Sequence, residues 1–216
     1  MSITFYYGSG SAPAWRVWLA LEFKGLAYDG RLMSFDAGDL KRPEFRALNP
    51  RGRVPTIVDG DFTLYEANAI VEYLEEQYPA TPQLFPGNTR ARALVRRWVS
   101  EIDDDYGRLT QDLGRAVFSK PGAQRDAAGI DAASAALMTE LDVIAGLMSG
   151  DYLAGDRVTA ADFALYPHVA FLARLDKKVP AFGLMAARAP RIRDWTARIE
   201  AMPFVARTIP PHWKTL

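Results

Sequence analysis

Strand-forming sequence in this 216-residue chain ends at Leu64, and from residue 79 onward no strand signal appears. The runs 3–7, 54–58 and 62–64 are short and rich in β-branched and aromatic residues, and 28–32 is a further strand candidate. The first run stops at the loop Gly8-Ser9-Gly10-Ser11. Residues 14–24 (AWRVWLALEFK) are apolar nearly all round and end at Gly25, as a mostly buried helix does. A helix between two strands makes them parallel, in a right-handed βαβ unit. Runs 54–58 and 62–64 flank Asp59-Gly60-Asp61, a hairpin with an Asp-Gly turn. Residues 66–78 put Ala67, Ile70, Val71, Leu74 and Tyr78 on one helical face, with Glu72, Glu75 and Glu76 mostly on the other. The order is β-α-β-short helix-β-β-α.

The stretch 79–87 carries Pro79, Pro82, Pro86 and Gly87 and is the one convincing linker. It divides the chain into an α/β domain over 1–78, a linker over 79–88 and an all-helical domain over 89–216. A long helix is expected from Thr89 to about Phe118, broken by Pro121-Gly122. A second runs over about 124–149, with Ile130, Leu137, Leu141, Ile144 and Met148 in a narrow apolar stripe flanked by alanine. Such a stripe suits a bundle helix packed closely on its neighbours.

Composition removes several functions. Lys plus Arg and Asp plus Glu both total 26, so the surface carries no basic footprint for nucleic acid or anionic lipid. Arg90, Arg92, Arg96 and Arg97 fall at helical spacings beside apolar positions and read as a solvated or interface face. The chain has no cysteine, which excludes disulfides, thiolate metal sites and a cysteine nucleophile. His168 and His212 stand far apart and unaccompanied, so no metal is expected. No apolar stretch is long enough to span a membrane and no secretory signal opens the sequence, so a cytoplasmic protein is expected.

Two local motifs stand out. In Gly155-Asp156-Arg157-Val158-Thr159-Ala160-Ala161-Asp162, Thr159 can cap a helix while Asp162 reaches back to its amide, and Val158 can staple on Phe163. The reading is a structural cap. In Val54-Pro55-Thr56-Ile57-Val58 the proline opens a strand directly after a loop. It is either a plain edge-strand proline or the site of a cis bond, before which a residue can offer both N–H and C=O to an extended peptide.

Taken in order, Asn49-Pro50-x-Gly52-x-Val54-Pro55, Leu64-x-Glu66-x-x-Ala69-Ile70-x-x-Tyr73-Leu74 and the 155–162 capping segment resemble the glutathione transferase family over essentially the whole chain. The opening Trp15-Arg16-Val17, behind a serine-containing loop, looks like its serine-type branches, bacterial and theta-zeta-like. The resemblance implies a thioredoxin-like glutathione-binding domain followed by an all-α bundle, with glutathione as co-substrate and a homodimer as the assembly. It also implies that Ser11 donates a hydrogen bond to the glutathione sulfur, with Tyr6, Tyr7 and Ser9 as rivals. The physical need is plain. A thiol of pKa roughly 8.5 must be largely ionised at neutral pH, and lowering it by about two units takes roughly 2.7 kcal/mol. A hydroxyl at a helix N-terminus offers a donor and the positive end of the dipole.

By the same resemblance Lys41 meets the glycyl carboxylate, Arg53 contacts that end, Val54 and Pro55 hold the peptide, and Glu66 binds the γ-glutamyl amine. Most members carry serine after that acidic residue. This chain has Ala67, which keeps the helix-start N–H but loses a hydroxyl worth roughly 1–1.5 kcal/mol, a loss Asn68 can offset. Tyr106 and Phe118 are expected to line a second-substrate pocket, and Glu75 and Glu76 to face Arg96 or Arg97 of a second copy. Asp103, Asp104 and Asp105 span too much of a helix to act together on one face, and the resemblance adds that in some branches one such residue contacts the cofactor amine from a partner subunit. The expected activity is detoxifying transfer: the thiol attacks a small apolar electrophile in conjugation, isomerisation or dehalogenation. The alternative is a non-catalytic ligand-binding or protein-interaction module on the same fold, which Ala67 favours.

Overall fold

The structure, a computed structural model, describes residues 2–118 and 124–213. The Pro121-Gly122 helix break therefore lies outside the described residues. The chain forms two compact units. One holds the residues up to Phe85 together with the segment from Met202; the other spans Pro86–Ala201.

In the first unit, strands β1 (Ile3–Gly8), β2 (Tyr28–Met33), β3 (Thr56–Asp59) and β4 (Phe62–Tyr65) form one mixed sheet in the order β2-β1-β3-β4. The β1–β2 pair is parallel, with Tyr6 opposite Arg31, and β3 runs antiparallel to β1 with Tyr6 opposite Thr56. Helix α1 (Ala12–Phe23) makes the parallel crossover. It starts two residues before the apolar run because Pro13 in its first turn has no N–H to leave unsatisfied and a φ already suited to helix. Alternation along β1 sends Phe5 and Tyr7 to the face covered by α1, where the Tyr7 ring lies 4.8 Å from Trp18, and sends Tyr6 to the opposite face. There it meets Phe45 of α2 (Pro43–Leu48), ring centroids 5.6 Å apart.

Helix α3 (Ala67–Gln77) buries Ala67, Ile70, Val71 and Leu74 as its periodicity requires. Glu75 departs from the expectation. It is buried, and its carboxylate accepts from Lys24 Nζ at 2.9 Å, from Leu84 N–H at 2.9 Å and from Phe85 N–H at 3.1 Å. It is engaged within its own chain by a lysine and two backbone amides. The segment read as a linker is thus tied down at its far end, with Lys24 also donating to the Pro82 carbonyl at 3.1 Å.

The second unit is helical among the described residues. Helix α4 (Thr89–Glu101) leads through a π-helical turn (Ile102–Tyr106) into α5 (Gly107–Phe118), so the long helix expected there is continuous and carries one π-helical turn at its aspartates. Helix α6 (Ala127–Leu147) buries Ile130, Leu137, Leu141 and Ile144. Helix α7 (Ala160–Lys178) begins on Thr159, whose amide and hydroxyl both donate to Asp162. Asp162 is completely buried and accepts two more bonds, from Leu153 N–H at 3.0 Å and the Trp195 indole at 2.8 Å. It anchors α7, the preceding loop and α9 (Pro190–Glu200) together, beyond the cap its sequence position announces. The short α8 (Leu184–Ala187) lies between α7 and α9. After Met202 the chain forms α10 (Val205–Thr208) and a 3-10 turn (Pro211–Trp213) in the first unit.

Candidate functional site

The loop between β1 and α1 is one tight turn. Ser11 N–H donates to Gly8 C=O at 3.1 Å, and Gly10, third of the four residues, has φ +82°, which glycine adopts without strain. Ser11 is at once the end of that turn and the N-cap of α1. Its Oγ accepts from Ala14 N–H at 3.4 Å. A capping hydroxyl uses a lone pair and keeps its proton to donate, here at a helix N-terminus where negative charge is favoured.

Tyr6 belongs elsewhere. It lines a groove of about 640 Å³ on the α2 side of the sheet, with Phe45, Arg31, Leu32, Arg42 and Leu48 among the other walls. Tyr7 is packed between Phe5 and Trp18 on the α1 face of the sheet, and burial pushes its phenol above the ordinary value.

A second group of backbone features sits at the 49–55 loop. Val54-Pro55 is a cis peptide, Pro55 is buried and Val54 half-buried. Asn49, 1 % exposed, organises the approach to it: Nδ2 donates to Arg53 C=O at 2.8 Å and Thr56 Oγ1 at 3.0 Å, and Oδ1 accepts from Arg51 N–H at 3.0 Å. Gly52 has φ +58°, and a Cβ there would lie 2.7 Å from the Leu40 carbonyl. Lys41, at the end of a 3-10 turn (Asp39–Lys41), and Arg53 are both exposed, as cations able to receive a carboxylate must be.

The third group opens α3. Glu66 is exposed and has φ 73°, the one non-glycine residue with positive φ among the described residues. Such backbone costs about 1–3 kcal/mol and persists where surroundings impose it, often at binding sites. Ala67 follows it, 8 % exposed. Arg16, 2 % exposed on α1, donates to the side chain of Asn68, which brings a buried guanidinium to the first turn of α3 beside Ala67.

Phe35 was not singled out from the sequence. The residue is 53 % exposed and its ring rests on Gly8, where a Cβ would lie 2.4 Å from the ring edge, close to Val54. An exposed phenylalanine in a polar loop was the available signal. The structure separates the two aromatics expected to share a pocket in the helical half. Tyr106 is 0 % exposed, packs edge-on to His168 and belongs to the core. Phe118 is 40 % exposed, 5.9 Å from Phe171 and under the Arg174 guanidinium. Twelve helical residues put them about 18 Å apart along the axis. Of the three aspartates in the π-helical turn, Asp105 pairs with Arg108 at 3.8 Å. Among the described residues no cluster of His, Asp and Glu is placed to hold a metal ion, and no helix is long and apolar enough to cross a membrane.

Comparison with known proteins gives a consistent result. The family model "Glutathione S-transferase, N-terminal domain" matches residues 10–77, and "Glutathione S-transferase, C-terminal domain" matches 109–203. Glutathione S-transferase A of Pleuronectes platessa is 31% identical over 98% of this chain and 92% of its own. A probable maleylacetoacetate isomerase of Vibrio cholerae is 32% identical over 98% and 97%. Among solved structures, a theta class glutathione S-transferase from Xanthomonas axonopodis pv. citri with glutathione bound superposes with a TM-score of 0.78, at 30% identity over 96% of this chain and 97% of that one.

Proposed function

The chain belongs to the glutathione S-transferase family and is an enzyme of that kind, and from that premise we propose that it binds glutathione on its first unit, ionises the thiol with Ser11 and directs the thiolate at a small apolar electrophile. The observation that carries the reading is Ser11 itself, a helix-capping hydroxyl with its proton still to give, at the end of a tight turn. The hydrogen bond favours the charged sulfur over the neutral one, and the helix N-terminus adds to it.

The rest of the peptide follows from the chemistry of the other groups. Val54 offers its backbone N–H and C=O ahead of the cis proline to the cysteinyl residue, as an added strand would. Lys41 and Arg53 neutralise the glycyl carboxylate. Glu66 takes the γ-glutamyl amine, and the N–H groups at the start of α3 take the γ-glutamyl carboxylate. The Arg16–Asn68 pair supplies positive charge beside Ala67, where the family's usual hydroxyl is missing. Phe35 gives the electrophile an apolar wall beside Gly8 and Val54.

Conjugation, isomerisation and dehalogenation share one first step, thiolate attack on an electrophilic carbon, so one catalytic apparatus serves all three. The likeness to a probable maleylacetoacetate isomerase supports isomerisation as a natural reaction of this site. No protein thiol takes part, because the chain has none. The enzyme is a homodimer acting in the cytoplasm; sedimentation at micromolar concentration is expected to give twice the chain mass, and a monomer would overturn the assembly.

The decisive experiment replaces Ser11 by Ala and, separately, Tyr6 by Phe, and follows thiolate absorbance of bound glutathione against pH. S11A is expected to raise the apparent thiol pKa by about two units, a loss of roughly 2.7 kcal/mol, while Y6F leaves it in place. A raised pKa in Y6F alone would transfer the role to Tyr6. Unchanged values in both would overturn the hydroxyl mechanism.

A further inference from the structure

We propose that His212 is a positioning residue for the thiol donor, acting through Ser9 and Gly10 to hold the 8–11 turn in the form that presents Ser11. The proposal rests on the reading of Ser11 as donor and adds a residue just over two hundred positions away.

The observations start with Ser11's own anchoring. Its capping bond, at 3.4 Å, is well beyond the usual 2.9–3.0 Å. So loose a cap does not fix the hydroxyl; its direction is set by the turn of which Ser11 is the last residue. The two central residues of that turn are Ser9 and Gly10, and both are held by His212. Ser9 Oγ lies 2.5 Å from His212 Nδ1. A Cβ on Gly10 would stand 2.9 Å from His212 Cε1 and 3.4 Å from Nε2, so the ring lies directly against the glycine. Gly10 is needed twice, for its φ of +82° and for this approach.

The segment from Met202 is laid along α1 so as to bring His212 to that point. Phe204 packs against Phe23 with ring centroids 6.3 Å apart, and Arg207 pairs with Glu22 at 2.6 Å. Thr208, completely buried, accepts from the Trp15 indole at 2.8 Å and donates to Val205 C=O at 2.9 Å. Trp213 then meets Trp15 edge-on at 5.3 Å. The contacts progress from the C-terminal end of α1 to its N-terminal end and finish on the turn before it. Packing on α1 accounts for the aromatic and threonine residues. It does not account for an imidazole nitrogen on the Ser9 hydroxyl.

Misplacing a catalytic group by about 1 Å can cost on the order of 100-fold in rate, so a side chain that sets the turn sets the chemistry without touching the substrate. The test uses the full chain with His212→Ala, His212→Asn, Ser9→Ala and the double variant S9A/H212A. H212A is expected to raise the apparent thiol pKa of bound glutathione by about one unit, from about 6.5 to about 7.5, which leaves about threefold less thiolate at pH 7, and to lower kcat with little change in KM for glutathione. H212N, whose amide can reach the place of Nδ1, restores most of the loss. S9A reproduces H212A, and the double variant is no worse than either single one, as expected of two groups in one interaction. An unchanged thiol pKa in H212A, or additive losses in the double variant, would overturn the proposal while leaving Ser11 as donor. Wild-type protein without a glutathione thiolate would instead overturn the Ser11 reading. His212 is then judged by amide hydrogen exchange over residues 8–14, which H212A is expected to accelerate and whose constancy refutes the proposal.

Discussion

Glu66 holds a backbone conformation that its side chain makes costly, and its replacement by glycine separates stability from binding. Glu66→Gly removes a strain of about 1–3 kcal/mol against a glycine penalty of about 0.5–1 kcal/mol. The expected outcome is an unfolding free energy higher by up to about 1–2 kcal/mol in urea titrations, together with weaker glutathione affinity measured by titration calorimetry. A variant that loses stability would show that the φ of 73° carries no strain. At this scale the sequence was informative where a residue's type announces its chemistry: Glu66 after a strand, Pro55 after a loop, Ser11 before a helix. It was silent on Asn49, Arg16 and Phe35. Asn49 looks like a turn residue until its amide is seen holding both Arg53 and Thr56. Arg16 looks like a surface charge within an apolar helix until it is found buried against Asn68.

The pairing of Lys24 with Glu75 governs how α1, α3 and the chain beyond α3 hold together. Burial pushes the Glu75 carboxyl up, but the Leu84 amide, the Lys24 ammonium and the Phe85 amide outweigh it and hold the group below its ordinary value. Because the folded value lies below the unfolded one, the contribution is complete above the unfolded pKa of about 4.3 and disappears as pH falls through the folded value. Glu75→Ala leaves a buried ammonium and is expected to cost about 3–5 kcal/mol at neutral pH. Glu75→Gln is expected to flatten the acid limb of stability against pH in urea titrations; an acid limb identical to wild type would remove Glu75 from that account. Helical periodicity located α3 and its apolar face correctly, but periodicity reports only which way a residue points. A carboxylate pointing partly inward is acceptable when a lysine on another helix meets it, and that lysine is 51 positions away. The same limit applies to Asp162. Its spacing from Thr159 gave the cap, while its bonds to Leu153 and Trp195 depend on tertiary packing.

Binding at the level of the whole chain is measurable through unfolding. A ligand that binds only the folded protein stabilises it by about 2.7 kcal/mol at a hundred times its Kd, and for a chain of this size each kcal/mol shifts Tm by about 2–4 °C. Glutathione at that excess is expected to raise Tm by about 5–10 °C, and S11A is expected to keep most of the rise, since a donor to the sulfur acts mainly on its ionisation. No shift with wild-type protein would argue against glutathione as the ligand. The change of texture near residue 79 made the division into an α/β part and a helical part legible, because strands and helices differ in period and punctuation. The placement of the segment from Met202 in the first unit was not, since nothing in a short aromatic tail says which surface it will cover. That placement has a consequence for how the protein is made. The ribosome delivers residues 2–85 first and must then produce the whole helical unit before Thr208 and His212 emerge to reach Trp15 and Ser9. A nascent chain halted before Met202 therefore exposes the Trp15 indole and an unsupported turn, and the turn that carries Ser11 gains its His212 contact only after the whole helical unit has been made.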